Sequence, residues 1–132
     1  MRPTLALLAA LFIPAAALAQ SAPVTLASGV VYESLAEGSG VSPMRGDKVK
    51  VHYRAIAADG KEIENSYTRG EASEFPLNRV IPCWREGLQQ MKEGGKARLT
   101  CPPETTYGMR GSSALIPSYA TMQFEIELLS VR

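Results

Sequence analysis

The stretch KVKVHYRAIAADGKEI alternates apolar and polar positions. Val49, Val51, Tyr53 and Ala55 fall on one face, and Lys50, His52 and Arg54 on the other. A period of two marks a half-buried strand. Asp59-Gly60 follows as a turn signal. KARLTC repeats the pattern, with Ala97, Leu99 and Cys101 inward and Lys96, Arg98 and Thr100 outward. In MQFEIEL, Met122, Phe124, Ile126 and Leu128 point inward, and Gln123, Glu125 and Glu127 outward. GVVYESL reads as a fourth strand and SEFPLN as a short fifth.

One stretch has helical spacing. In VIPCWREGLQQM, Trp84, Leu88 and Met91 stand at i, i+4 and i+7 and so share a face. Pro82 suits a first helical turn, where its missing N–H is not needed. Gly94-Gly95 ends the run. Several antiparallel strands and one short helix predict an α+β fold, with the helix packed on the sheet. Trp84 then points into the gap between the layers.

The first residues, MRPTLALLAALFIPAAALAQ, stand apart. One positive charge, Arg2, precedes an apolar run from Leu5 to Leu18, closed by Ala17-Leu18-Ala19. That is the layout of a signal peptide, and Pro14 interrupts a run already short for a membrane span. Cleavage is expected after residue 19, with Gln20 the first mature residue and the protein in the periplasm or secreted. Residues 20–28 are small and polar and read as a flexible segment, and 29–132 as one domain. The whole chain carries a formal net charge of +1 over 132 residues. Without Arg2 the charges balance. Nucleic-acid binding leans on excess Lys and Arg, so that partner is not expected. No second segment is long and apolar enough to span a membrane.

Cys83 and Cys101 are the cysteines. Two Cys and one His are too few for a usual four-ligand zinc site. Two buried thiols remain an alternative. An oxidising compartment and the inward placement of both favour a disulfide. It would close a loop of roughly 20 residues and contribute about 3 kcal/mol.

A search for catalytic groups is mostly negative. His52 is the sole imidazole and reads as a solvated strand residue. No nucleophile pairs with it. GMRGSS is not a phosphate loop, and the cysteines are not Cys-x-x-Cys. What stands out is apolar: Tyr53, Phe75, Val80, Ile81, Trp84, Tyr107, Leu115, Ile116 and Phe124 could form one surface. TTYGMRGSSALIPSYATM is a long Gly/Ser/Pro-bearing loop that still carries Tyr107, Leu115 and Ile116. Long loops in compact domains tend to be functional.

VHY, DGKEIENS, FPLNRVIPCWREGLQQM, GGKARLTCPPETTYG and LIPSYATMQFEIELL resemble, in order and spacing, the FKBP-type peptidyl-prolyl cis-trans isomerases. The likeness covers Gly29 to Arg132, and the export signal resembles that of periplasmic members in Gram-negative bacteria. The resemblance implies a curved antiparallel sheet wrapped around one short helix. It implies that a substrate proline rests on Trp84, between walls from Tyr53, Ile63, Phe75, Val80, Ile81 and Phe124. Tyr107 would donate its hydroxyl to a substrate carbonyl, and the Ile81 N–H would donate another bond. Leu115 and Ile116 would close over the ligand. Tyr107, Glu64, Trp84 and Ile81 are thus the expected catalytic set. No metal or other cofactor is expected.

The sequence departs from the family pattern in places. Glu64 stands for the usual aspartate, one methylene longer. Ile63, Ser73 and Ser112 replace residues that are often aromatic or histidine. Cys83 replaces a glycine and Cys101 takes an apolar strand position, which strengthens the disulfide reading. The expected partners are proline-containing polypeptides and macrolide inhibitors such as rapamycin. No chaperone-sized insert follows Tyr107 and no helical dimerisation segment precedes Gly29, so a monomer is expected. The alternative function is a chaperone or adaptor that holds Pro segments with little turnover.

Overall fold

The computed structural model describes residues 22–106 and 120–132. The strands are β1 (Val24–Thr25), β2 (Val31–Ala36), β3 (Lys48–Ile56), β4 (Glu62–Asn65), β5 (Ser73–Pro76), β6 (Lys96–Cys101) and β7 (Met122–Val131). The helices are α1 (Ser66–Arg69) and α2 (Pro82–Leu88). The strands form one open antiparallel sheet in the order β1-β2-β6-β7-β3-β4. β5 pairs with the first half of β3, on the edge whose second half pairs with β4. Val24 and Thr25, inside the segment 20–28 expected to be flexible, pair with Tyr32 and Val31.

The alternating patterns survive as burial. In β3, Val49, Val51, Tyr53 and Ala55 are all buried. Their register sets Tyr53 opposite Ile126 and Ala55 opposite Phe124 on the neighbouring β7. Ala97, Leu99 and Cys101 of β6 join the same core, as do Met122, Phe124, Ile126 and Leu128 of β7. α2 lies over this face and contributes Cys83, Trp84 and Leu88. Close helix–sheet packing depends on Gly87, where an added Cβ would stand 2.5 Å from Leu99 Cδ1.

Two local features differ from expectation. The helix ends at Leu88 rather than running through Met91. The N–H groups of Gln90 and Met91 donate instead to the carbonyls of Gly87 and Leu88, at 3.0 and 3.1 Å. These three-residue steps tighten the last turn and still bury Met91. Secondly, His52 is not a free solvated side chain. Its Nδ1 lies 2.7 Å from Ser66 Oγ and its ring stacks on Tyr67 at 4.4 Å. Buried Ser66 also accepts the N–H of Tyr53 at 2.7 Å. His52 therefore helps tie α1 to β3. Asn65 caps that short helix by accepting the N–H groups of Tyr67 and Thr68.

The outer face of the sheet carries a ladder of charges. Arg54 bridges Glu62 and Glu125 at 2.7 and 2.8 Å, and Arg98 bridges Glu125 and Glu33 at 3.0 and 3.2 Å. Burial pushes the Glu125 carboxyl up, but its hydrogen bonds to Arg98 and Arg54 outweigh this and hold it below its ordinary value of 4.5.

Candidate functional site

Trp84 organises the site. It sits in the first turn of α2, which Pro82 opens, and is buried to 5 % exposure. Three rings meet it edge to face. The ring of Tyr53 lies 5.0 Å away, Phe124 5.5 Å and Phe75 5.6 Å, with interplanar angles of 81°, 88° and 86°. Edge-to-face contact suits the ring quadrupoles, and each such pair contributes about 0.5–1.5 kcal/mol beyond area burial. The three rings come from β3, β5 and β7, so the sheet and the helix build this box together. The indole N–H of Trp84 is sealed from solvent and has no acceptor among the described residues.

Above the box opens a cavity of about 230 Å³. Its lining includes Tyr53, Ile63, Glu64, Phe75, Val80, Ile81, Trp84 and Phe124, all of them expected site residues. Ala55, Met122 and Arg79 line it as well. Ala55 and Met122 were legible only as inward strand positions, and their alternation is the signal that could have placed them here. Arg79 carried no signal. Tyr107, Leu115, Ile116 and Ser112 lie outside the described residues. Ser73 accepts a hydrogen bond from Arg69 Nη2 at 2.8 Å.

The polar groups are few and sit at the edge. Burial first, and then the neighbouring Glu64 carboxylate, push the Tyr53 phenol up to about 12, against a smaller opposing effect of Arg69. Tyr53 thus stays a neutral donor at physiological pH. Glu64 Oε2 accepts from Arg69 Nη1 at 3.1 Å, and the Arg69 guanidinium lies 5.9 Å from the centre of the Tyr53 ring. The Glu64 carboxylate thus neighbours the Tyr53 phenol and pairs with Arg69. Ile81 is the N-cap of α2, with φ −60° and ψ 152°. Its N–H has no partner among the described residues.

Directly behind the box, Cys83 and Cys101 form a disulfide, with both residues fully buried. It joins the first turn of α2 to the last residue of β6. The floor of the cavity is thereby covalently attached to the sheet. Among the described residues, no helix is long and apolar enough to cross a membrane.

Fold and cavity define a class: an α+β domain in which helix α2 supplies the floor of an apolar, aromatic-walled pocket. Residues 40–129 match the FKBP-type peptidyl-prolyl cis-trans isomerase family. FkpA of Escherichia coli strain K12, an FKBP-type peptidyl-prolyl cis-trans isomerase, is 46% identical over 108 residues. The match covers 82% of this chain and 40% of that relative. The crystal structure of Escherichia coli FkpA superposes with a TM-score of 0.80 at 45% identity, over 83% of this chain and 51% of that one. A peptidyl-prolyl cis-trans isomerase from Pseudomonas syringae superposes with a TM-score of 0.77 at 35% identity, over 83% of this chain and 80% of that one. The chain belongs to the FKBP-type peptidyl-prolyl cis-trans isomerase family. It spans less than half the length of the FkpA relative it matches.

Proposed function

We propose that this domain catalyses cis-trans isomerisation of X-Pro bonds in exported polypeptides. One observation carries the reading. Trp84, boxed by Tyr53, Phe75 and Phe124, forms the floor of an apolar cavity with room for a prolyl ring and its flanking amide.

The chemistry asks for little else. Rotation about a peptide bond faces a barrier of about 18–20 kcal/mol because amide resonance must be broken. For X-Pro bonds it takes tens to hundreds of seconds. No bond to another atom forms or breaks, so a nucleophile has no task. A twisted amide is less polar than a planar one, and an apolar pocket favours it over the ground state. Catalysis is then differential binding of the twisted form. Trp84 holds the ring, and the free Ile81 N–H holds an adjacent carbonyl. Ile63, Val80 and Phe124 keep water from the amide. Glu64 orients the Tyr53 phenol. On the resemblance, Tyr107 donates a second hydrogen bond, and Leu115 and Ile116 close over the substrate. Each factor of ten in rate asks for about 1.4 kcal/mol, so no single contact supplies the whole effect.

Export belongs to the same reading. A cleaved signal peptide over residues 1–19 delivers the domain to the periplasm or outside. The Cys83–Cys101 disulfide supports this, because such bonds persist in oxidising compartments.

Exchange NMR on a short Leu-Pro peptide, with and without rapamycin, tests the reading. Faster exchange that the macrolide blocks is the expected result. Line broadening from binding, with no gain in exchange rate, would reject the isomerase and leave a Pro-segment chaperone or adaptor.

A further inference from the structure

The rim of the cavity is electrically lopsided. Among the described residues, two charged side chains line it, Glu64 and Arg79. Glu64 is already engaged by Arg69 at 3.1 Å, which neutralises its charge in place. Arg79 has no ion pair among the described residues. It is exposed and ends the 3-10 turn Leu77–Arg79, immediately before the wall residues Val80 and Ile81. The backbone there is anchored on both sides. Leu77 is fully buried and its N–H donates to the Asp47 carbonyl at 2.8 Å, while Pro82 starts α2. The root of the Arg79 side chain is thus held beside the pocket mouth.

We propose that Arg79 makes this site prefer proline segments with an acidic residue next to the proline over segments with a basic residue there. The inference rests on the isomerase reading for its substrate class. A guanidinium presents a planar fork of donors that matches a carboxylate and repels an ammonium. The apolar wall beneath it fixes the proline, so the flanking residue passes under the charge. An exposed pair of this kind changes affinity by about two- to five-fold. Salt weakens it, because the Debye length falls from about 10 Å at 0.1 M to about 3 Å at 1 M.

The test uses two peptide pairs, one with Glu or Lys before the proline and one with Glu or Lys after it. For each, the exchange rate is measured by NMR and the affinity by Trp84 fluorescence, at low and high salt. In at least one pair the Glu peptide is expected to exceed the Lys peptide by about three-fold in catalytic efficiency at low salt. Arg79→Gln brings that ratio to about one, Arg79→Lys keeps part of it, and Arg79→Glu inverts it. A wild-type ratio of one in both pairs, or a ratio that Arg79→Glu leaves unchanged, overturns the inference while the isomerase stands. Charge-selective binding without faster exchange sinks the isomerase and keeps Arg79 as the selector of bound segments.

Discussion

Cys83 and Cys101 hold the first turn of α2 against the end of β6, with Cα atoms 5.8 Å apart across 18 residues of chain. Cys83 precedes Trp84, and Cys101 ends the strand that leads toward Tyr107. The bond therefore fixes the pocket floor to the sheet. In the chain-entropy account, closing a loop of this length contributes about 3 kcal/mol. Replacing both cysteines by alanine should lower the melting temperature by about 12–24 °C, at about 4–8 °C per kcal/mol for a domain of this size. Reductant should do the same to the wild type and nothing to the double variant. Equal melting curves in both would show that the link adds no stability.

Trp84→Leu should separate the floor's role in turnover from its role in the core. Leucine keeps apolar bulk but loses the flat face and the three ring contacts. Catalytic efficiency should fall by at least about ten-fold, a loss of about 1.4 kcal/mol in the transition state. On the proposed reading Tyr107 donates one hydrogen bond among several contacts, so Tyr107→Phe should cost only a few-fold. A Trp84→Leu variant that shows a dispersed, folded NMR spectrum and full activity would remove Trp84 from the mechanism.

Gly87 of α2 packs directly against Leu99 of β6. Alanine is the better helix former by about 1 kcal/mol. Here, however, its Cβ would stand 2.5 and 2.6 Å from the two methyls of Leu99, which is fully buried. Overpacking of this kind typically costs about 1–3 kcal/mol. Gly87→Ala should therefore destabilise the domain in urea by about 1 kcal/mol net, against the propensity scale. Adding Leu99→Val should relieve part of the clash. A stabilised Gly87→Ala variant would show that Leu99 has room to move.

Glu125 predicts part of the acid response. Its carboxyl is held below the ordinary value of 4.5 in the folded state, because Arg98 and Arg54 outweigh the effect of burial. A carboxyl with a depressed folded value contributes stability that is present above its unfolded value. That contribution is lost as pH falls through the folded value. Glu125→Gln should thus destabilise the domain at pH 7 and matter progressively less below about pH 4.5. Each exposed pair contributes roughly 1 kcal/mol or less after solvent screening. Urea midpoints measured from pH 7 to pH 3 check this, and a constant difference across that range would contradict it.

The strands of the core were legible because burial of one sheet face imposes a period of two on the sequence. Val49 to Ala55, Ala97 to Cys101 and Met122 to Leu128 all obey it. The helix was legible from Trp84, Leu88 and Met91, but its end was not. Whether Met91 continues a helix or closes a tighter turn depends on carbonyl partners that spacing does not encode. Most of the pocket was legible through motifs that resemble a known family. Arg79 was not, because a charged residue that follows a polar one, Asn78, reads as an ordinary surface position.

By itself, then, the sequence determined the α+β class, the inward faces of the strands and the residue that floors the pocket. All three follow from local periodicity and from motif order along the chain. Tertiary structure decided how the rings meet Trp84, edge to face at 5.0–5.6 Å, since Tyr53, Phe75 and Phe124 are far apart in sequence and converge only through strand register. It also decided that Glu64 is neutralised by Arg69 while Arg79 stands free of any ion pair among the described residues. Pairing between charges is a matter of distances across loops, and those distances exist only once the chain has folded.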